Sequence, residues 1–171
     1  MISKSKCEAG IWDLSQRFPT PGWRFVRLHF ILILYNRRMP VVSITRLRIR
    51  AWRFMPAFAF YAVRSRMQAA KAEGNRGLNL LREPGNIFWT ATVWDSEAAV
   101  KQFMLAQPHG EAMLRLMHWC DEASVVRWSQ DTIELPDWLE AHRRMQSEGR
   151  PSKVRFPSAA HHRHEIPPPK R

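Results

Sequence analysis

The stretch Ile87-Phe88-Trp89-Thr90-Ala91-Thr92-Val93-Trp94 runs straight into Asp95-Ser96-Glu97, and this junction decides the fold. Eight β-branched, aromatic and small residues in a row predict a strand. Asp95 or Ser96 can cap a following helix, and Glu97 in the first turn suits the helix dipole. Alternate strand residues point to opposite sides. One side carries Ile87, Trp89, Ala91 and Val93 and is wholly apolar, so it is expected under the helices. The other carries Phe88, Thr90, Thr92 and Trp94, a mixed surface expected on the bare side of the sheet.

Upstream, Glu83-Pro84-Gly85-Asn86 is a turn signal, and Gly77 to Arg82 predicts the preceding strand. Further back, Val41 to Arg50 is rich in β-branched residues and ends in alternation, the mark of another strand. Between these two strands, Pro56 suits the first turn of a helix and Gly74 its end. Phe58, Ala59, Ala62, Val63, Arg66, Met67 and Ala70 recur at three- and four-residue spacing, and this stripe is expected to be core. Tyr61, among them, is read as core too. Downstream, Val100, Phe103 and Met104 form the apolar stripe of the helix after Ser96. Gln107-Pro108-His109-Gly110 interrupts it, a second helical piece runs from Glu111 to about Cys120, and Ala123 to Trp128 predicts a fourth strand. The order is strand, helix, strand, strand, helix, strand. The predicted class is α+β, a ferredoxin-like βαββαβ unit with a four-stranded antiparallel sheet over residues 39–130.

The flanks read differently. Residues 1–38 form an N-terminal extension outside the fold, poorly ordered or upstream of a natural start at Met39; Phe25 to Ile33 could add a strand. Residues 131–148 form a C-terminal extension with a short helix from Asp137 to Glu148 anchored by Trp138. Residues 149–171 are rich in Pro, His and Arg and are expected to be a disordered basic tail.

Charge and cysteine content bound the function. The net charge of +12 divides as +5, +5 and +2 over residues 1–38, 39–130 and 131–171. It is therefore spread along the chain and is not a basic tail. A basic surface can meet nucleic acid or anionic lipid, but no zinc finger, helix-turn-helix or RNA-binding aromatic motif is present, and nucleic acid is not expected as a partner. Cys7 and Cys120 have neither the number nor the spacing of a disulfide framework or a metal site. No run approaches the roughly 20 apolar residues of a membrane helix, and no small-residue cleavage site follows the apolar run Phe30 to Tyr35. These features predict a cytoplasmic protein with free thiols and no membrane partner. His161, His162 and His164 are read as part of a solvated tail, so no metal site is predicted.

One pattern sharpens the fold. Phe88 to Ala99, with strand three ending in Thr92-Val93-Trp94, is followed by His109-Gly110-Glu111-Ala112-Met113. This resembles the antibiotic biosynthesis monooxygenase superfamily, in a bacterial branch of unknown function. The resemblance extends over roughly residues 39–156, including Pro136-Asp137-Trp138-Leu139 and Gly149-Arg150-Pro151-Ser152-Lys153. It implies a dimeric α+β barrel in which two copies bury the bare sheet faces, since Phe88, Thr92 and Trp94 exposed together would be a costly apolar patch. It also implies a pocket for a small hydrophobic or aromatic molecule. Superfamily members include oxygenases that work without a cofactor and enzymes that cleave haem. The haem-cleaving members carry an Asn, a Trp and a His where this chain has Thr45, Phe103 and Met113, so the resemblance argues against that chemistry here.

The residues assigned to the pocket are Thr45, Phe88, Thr92, Trp94, Phe103 and Met113. His109 is the candidate catalytic group, because a helix N-terminus disfavours its protonated form; it could equally do no more than cap the helix. Arg46, Arg48 and Arg50 alternate on one strand face and could hold an anion or pair with acids. Asp121 and Glu122 are adjacent on a strand and are expected to face opposite ways. The expected function is binding of a small aromatic ligand, with cofactor-independent monooxygenation as the implied activity. A non-catalytic homodimer and a haem protein using His109 are the rivals.

Overall fold

The computed structural model describes residues 39–170. The readings made for residues 1–38, Cys7 included, lie outside the described residues. Strand β1 (Val41–Ile49) is followed by a short 3-10 turn (Trp52–Phe54) and helix α1 (Met55–Lys71). Then come β2 (Asn75–Glu83), β3 (Ile87–Trp94), α2 (Glu97–Leu105), α3 (His109–Trp119) and β4 (Cys120–Ser129). Helix α4 (Trp138–Ser147), a two-residue β5 (Arg150–Pro151) and a one-turn α5 (Ala159–His162) complete the chain. The βαββαβ order is as read from the sequence, and the fold is ferredoxin-like α+β. The sheet has five strands instead of four, in the order β2-β3-β1-β4-β5, because β5 adds a short rung against Ser124 and Val125.

Local chemistry sets most boundaries. Ser96 accepts the Ala99 amide at 3.3 Å and Asp137 accepts the Glu140 amide at 2.8 Å, each capping a helix start. Gly74 ends the α1–β2 connection at φ +79°, and a Cβ there would sit 2.8 Å from that of Ala99. Only glycine meets both conditions.

The two faces of the sheet are covered in the reverse of the expected way. Strand register puts Val42, Ile44, Trp89, Ala91, Val93 and Val126 on one side. That side packs against Ala141 and Met145 of α4 and against Ile166, not against the first three helices. The side bearing Phe88 and Trp94 is the one under α1, α2 and α3. Phe88 packs with Phe58, and Trp94 with Val100 and Phe103. Trp94 is 1% exposed and Thr92 7% exposed within a single chain. The apolar patch that called for a second copy is thus already covered, and the dimer loses that argument.

Helix α1 is also turned. Its buried residues are Phe58 and Ala69. Ala59, Ala62, Val63, Arg66, Met67 and Ala70, expected in the core, face outward. Inward-facing Tyr61 and Gln68 have partners on α2 and α3 that hold this rotation: the Tyr61 hydroxyl donates to Glu111, and Gln68 bonds Phe103, Ala106 and His109. Tyr61 packs against the Ile49, Phe58, Trp119 and Cys120 cluster, as expected, and is half-buried with its hydroxyl bonded to Glu111.

The C-terminal stretch expected to be disordered is a strap across β4 and the closed face. Backbone amides of Ser152, Arg155 and Ser158 donate to Ala123, Met117 and Asp121 at 2.8, 2.8 and 3.0 Å. Ile166 is 5% exposed. The Lys170 amide donates at 2.7 Å to Glu83, whose other oxygen takes the indole N–H of Trp89. Backbone pairing and one apolar anchor outweigh a composition that suggests disorder.

The strap also closes an ionic cluster. Arg46 meets Glu122 at 2.6 Å with both side chains almost fully buried, and Ser158 donates to Glu122 at 3.1 Å. Arg48 holds Asp121 with two bonds and also reaches Glu122 at 2.9 Å. A bulge between Arg48 and Ile49 lets adjacent Asp121 and Glu122 share one arginine instead of facing opposite ways. Arg46 and Arg48 are paired within the chain and are not anion ligands. Among the described residues, no helix is long and apolar enough to cross a membrane.

Candidate functional site

Three of the residues singled out in the sequence come together as a column of rings. Trp94 and Phe103 lie 4.9 Å apart between centroids, and Phe103 and His109 lie 4.4 Å apart. Strand β3 supplies the first, α2 the second and the start of α3 the third. Gln68 of α1 fixes the α2–α3 junction. Its carbonyl accepts the His109 amide at 2.9 Å, and its amide donates to Phe103 and Ala106 at 3.3 Å each.

The His109 ring is half-buried, with Nδ1 3.5 Å from the Met104 carbonyl. Burial pushes its pKa down, the Met104 carbonyl opposes this, and the Arg127 charge adds to the lowering. The result is a neutral imidazole. With Nδ1–H turned to the carbonyl, Nε2 is the acceptor. Arg127 is held by Ser43 at 3.3 Å and Glu97 at 3.6 Å.

Beside this column the sheet floor carries Thr45 and Thr90, a register pair on β1 and β3. Both are only half-buried although they sit mid-strand beneath the helices. Leu78 of β2 and Val125 of β4 share that side and that partial exposure. The buried residues of α1 are Phe58 and Ala69, near its two ends. Inward-facing Ser65 has a buried hydroxyl with no partner among the described residues. The candidate site is the sheet surface at Thr45 and Thr90 together with the Trp94–Phe103–His109 column and its neutral imidazole.

The other predicted residues are placed differently. Thr92 is buried, with its hydroxyl donating to the Ser43 carbonyl at 3.2 Å, and is structural. Phe88 lies toward the far end against Phe58, at 4.6 Å. Met113 is 37% exposed on α3, one turn after His109. Gln68, Thr90 and Ser65 were missed. Their signal was uncharged polar residues three and seven apart on one side of α1, at Tyr61, Ser65 and Gln68, and a threonine pair across two strands. The Tyr61 bond to Glu111 pushes the phenol up and the carboxyl down, and Arg115 lies over the Tyr61 ring. Cys120 is buried, which raises its thiol to about 12 and leaves it inert as a nucleophile. Among the described residues no three His, Cys, Asp or Glu side chains cluster as metal ligands. A depression of about 420 Å³ lies outside α2, between Lys101, Leu105 and Arg127. It is open and without an aromatic ring.

Comparison with known proteins gives the chain a family without an activity. No curated protein matches it. Among solved structures it is similar to the cofactor-independent oxygenase SnoaB from Streptomyces nogalater, at 19% identity and a TM-score of 0.46, over 58% of this chain and 99% of that one. It is also similar to a conserved protein from Methanosarcina mazei Go1, at 13% identity and a TM-score of 0.47, over 56% and 96%. A protein of unknown function from Nitrosomonas europaea matches at 13% identity and a TM-score of 0.47, over 60% and 99%. The family model for a domain of unknown function, DUF3291, matches residues 55–163, and the chain belongs to that family.

Proposed function

We propose that the chain binds a small, mostly apolar aromatic molecule beside the Trp94–Phe103–His109 column, over Thr45 and Thr90, and that its chemistry is cofactor-independent oxygenation beginning with proton removal by His109. The observation that supports this is the Trp94–Phe103–His109 column, which ends in a neutral imidazole at the edge of a half-exposed floor. A flat ring stacks against aromatic side chains. A neutral Nε2 in a poorly hydrated site can accept a proton from an acidic C–H or O–H of an electron-rich ring. Thr45 and Thr90 supply hydroxyls that can donate to the resulting anion. The reading asks for no cofactor from this chain.

The test is titration of the full chain with an anthrone-like tricyclic phenol, following tryptophan emission and oxygen uptake. Phe103→Ala is expected to weaken binding roughly tenfold, about the worth of one stacked contact. His109→Gln is expected to keep binding and to slow oxygen uptake by about a hundredfold or more. Saturable binding with no oxygen uptake would leave a binding module instead of an enzyme. A haemin Soret shift that vanishes in His109→Gln would replace this reading with a haem site.

A further inference from the structure

The outward face of α1 is unlike any other surface of the described residues. Phe60, Val63 and Met67 are 56%, 59% and 56% exposed. They lie at three- and four-residue spacing on one stripe, on the side of the helix away from Phe58 and Ala69. Ala59 and Ala70 extend the stripe. Trp52, 69% exposed, stands just before the helix begins. Such a row is costly in water unless something covers it.

The segment that carries it is basic. From Met39 to Ala72 the chain has no acidic residue and seven Arg or Lys. Arg46 and Arg48 are used by the β4 carboxylates, and Arg50 bonds the His118 carbonyl. Arg53, Arg64, Arg66 and Lys71 remain around the stripe, and among the described residues none of the four forms an ion pair. Arg64 lies 5.3 Å from the centre of the Phe60 ring, so cation and apolar group are adjacent.

We propose that this face of α1 seats on an anionic lipid surface, with Phe60, Val63 and Met67 entering the headgroup boundary and Arg53, Arg64, Arg66 and Lys71 meeting lipid phosphates and carboxylates. An interfacial helix has this composition: an apolar stripe, basic flanks and an aromatic residue at one end. Nucleic acid would use the cations but leave three apolar side chains in water. An acidic protein would need a groove shaped to one convex helix, whereas a lipid surface imposes no shape. The sequence argued only against a spanning segment, and docking in the interface needs none. The opposite side of α1 carries Tyr61 and Gln68, which bond α2 and α3. The proposal stands independently of what the candidate site binds.

The experiment is flotation of the full chain with vesicles of phosphatidylcholine alone and of phosphatidylcholine with about one-third phosphatidylserine. Binding is expected only to the anionic vesicles, weakening as salt is raised. Phe60→Ser, Val63→Ser and Met67→Ser together should abolish flotation while leaving the urea midpoint in place, since all three are exposed. Arg64→Glu with Arg66→Glu should weaken it about twenty-fivefold or more, at roughly fivefold per basic residue lost. Part of the tryptophan blue shift on binding should vanish in Trp52→Phe. The proposal is overturned by flotation that the triple-serine variant retains or by equal binding to neutral vesicles. It is also overturned if the triple-serine variant turns a lipid-free dimer into a monomer, because a second copy would then cover the stripe.

Discussion

The two faces of the sheet use the same strands and reach opposite ends. On one, Val42, Ile44, Trp89, Ala91 and Val93 are at most 1% exposed under α4 and Ile166, and an ionic cluster is sealed beside them by Ser158. On the other, Thr45 and Thr90 sit mid-strand yet remain accessible, and the ordered groups are a ring column and a helix junction held by Gln68. Side chains closed on every side contribute packing and specify one conformation. A polar floor left partly open contributes little to stability, and it is where a ligand can be accommodated. The difference gives stability to the strapped face and leaves the helix-covered one to carry the candidate site.

The sharpest way to break this division is to remove one charge from the closed face. Arg46 is 2% exposed and its main partner is Glu122 at 2.6 Å. Glu122→Gln leaves a buried guanidinium uncompensated and is expected to cost about 3–5 kcal/mol, a large share of the roughly 5–15 kcal/mol of a typical domain. Replacing both partners together, Arg46→Met with Glu122→Leu, should recover most of it. The measurement is the urea midpoint of the three variants. A loss under about 1 kcal/mol for Glu122→Gln would mean that water reaches the cluster and that the strap does not close this face.

A matched pair of isosteric changes probes the contrast more finely. Val42→Thr puts a hydroxyl into the closed face and is expected to cost about 1–3 kcal/mol. Thr90→Val removes one from the open face and should move stability by less than about 0.5 kcal/mol, while altering the affinity of any ligand that uses that floor. Equal costs at the two positions would erase the distinction between the faces.

What the sequence made legible follows from which decisions are local. The period of Ile87 to Trp94, the cap at Ser96 and the stop at Gly74 depend on neighbours within a few residues, and each stands where the pattern put it. Parity divides β3 into two faces but cannot say which face the helices take. The fully apolar side was given to α1, α2 and α3, whereas α4 and Ile166 cover it. Helix α1 has two stripes, and the more apolar one is outside because Tyr61 and Gln68 on the other have specific long-range partners. The strap was hidden by its Pro and His content, since it is held chiefly by backbone bonds to β4, which composition does not encode. At the site, Trp94, Phe103 and His109 were found through a shared motif. Gln68 and Thr90 act through contacts across elements and gave only a weak signal.

The smallest expected effect compares one histidine from each face. His161, on the strap, accepts the Ala123 amide at Nδ1 and meets the Ser152 carbonyl through Nε2, so it must be neutral to make both bonds. His109, at the candidate site, is neutral by burial. Burial is the leading cause of a lowered pKa in both. In the unfolded chain each titrates near the ordinary value of about 6.5. Below that pH the unfolded state binds the proton first, so stability falls as pH drops through 6.5 toward the lower folded value and is complete above about 7. His161→Gln and His109→Gln should each flatten part of this slope in urea midpoints taken between about pH 7.5 and 5. A bound aromatic ligand that bonds His109 Nε2 should alter only the His109 share, leaving the His161 share as it was. If ligand shifts the His161 share as well, the two faces are coupled and the separation of strap from candidate site fails.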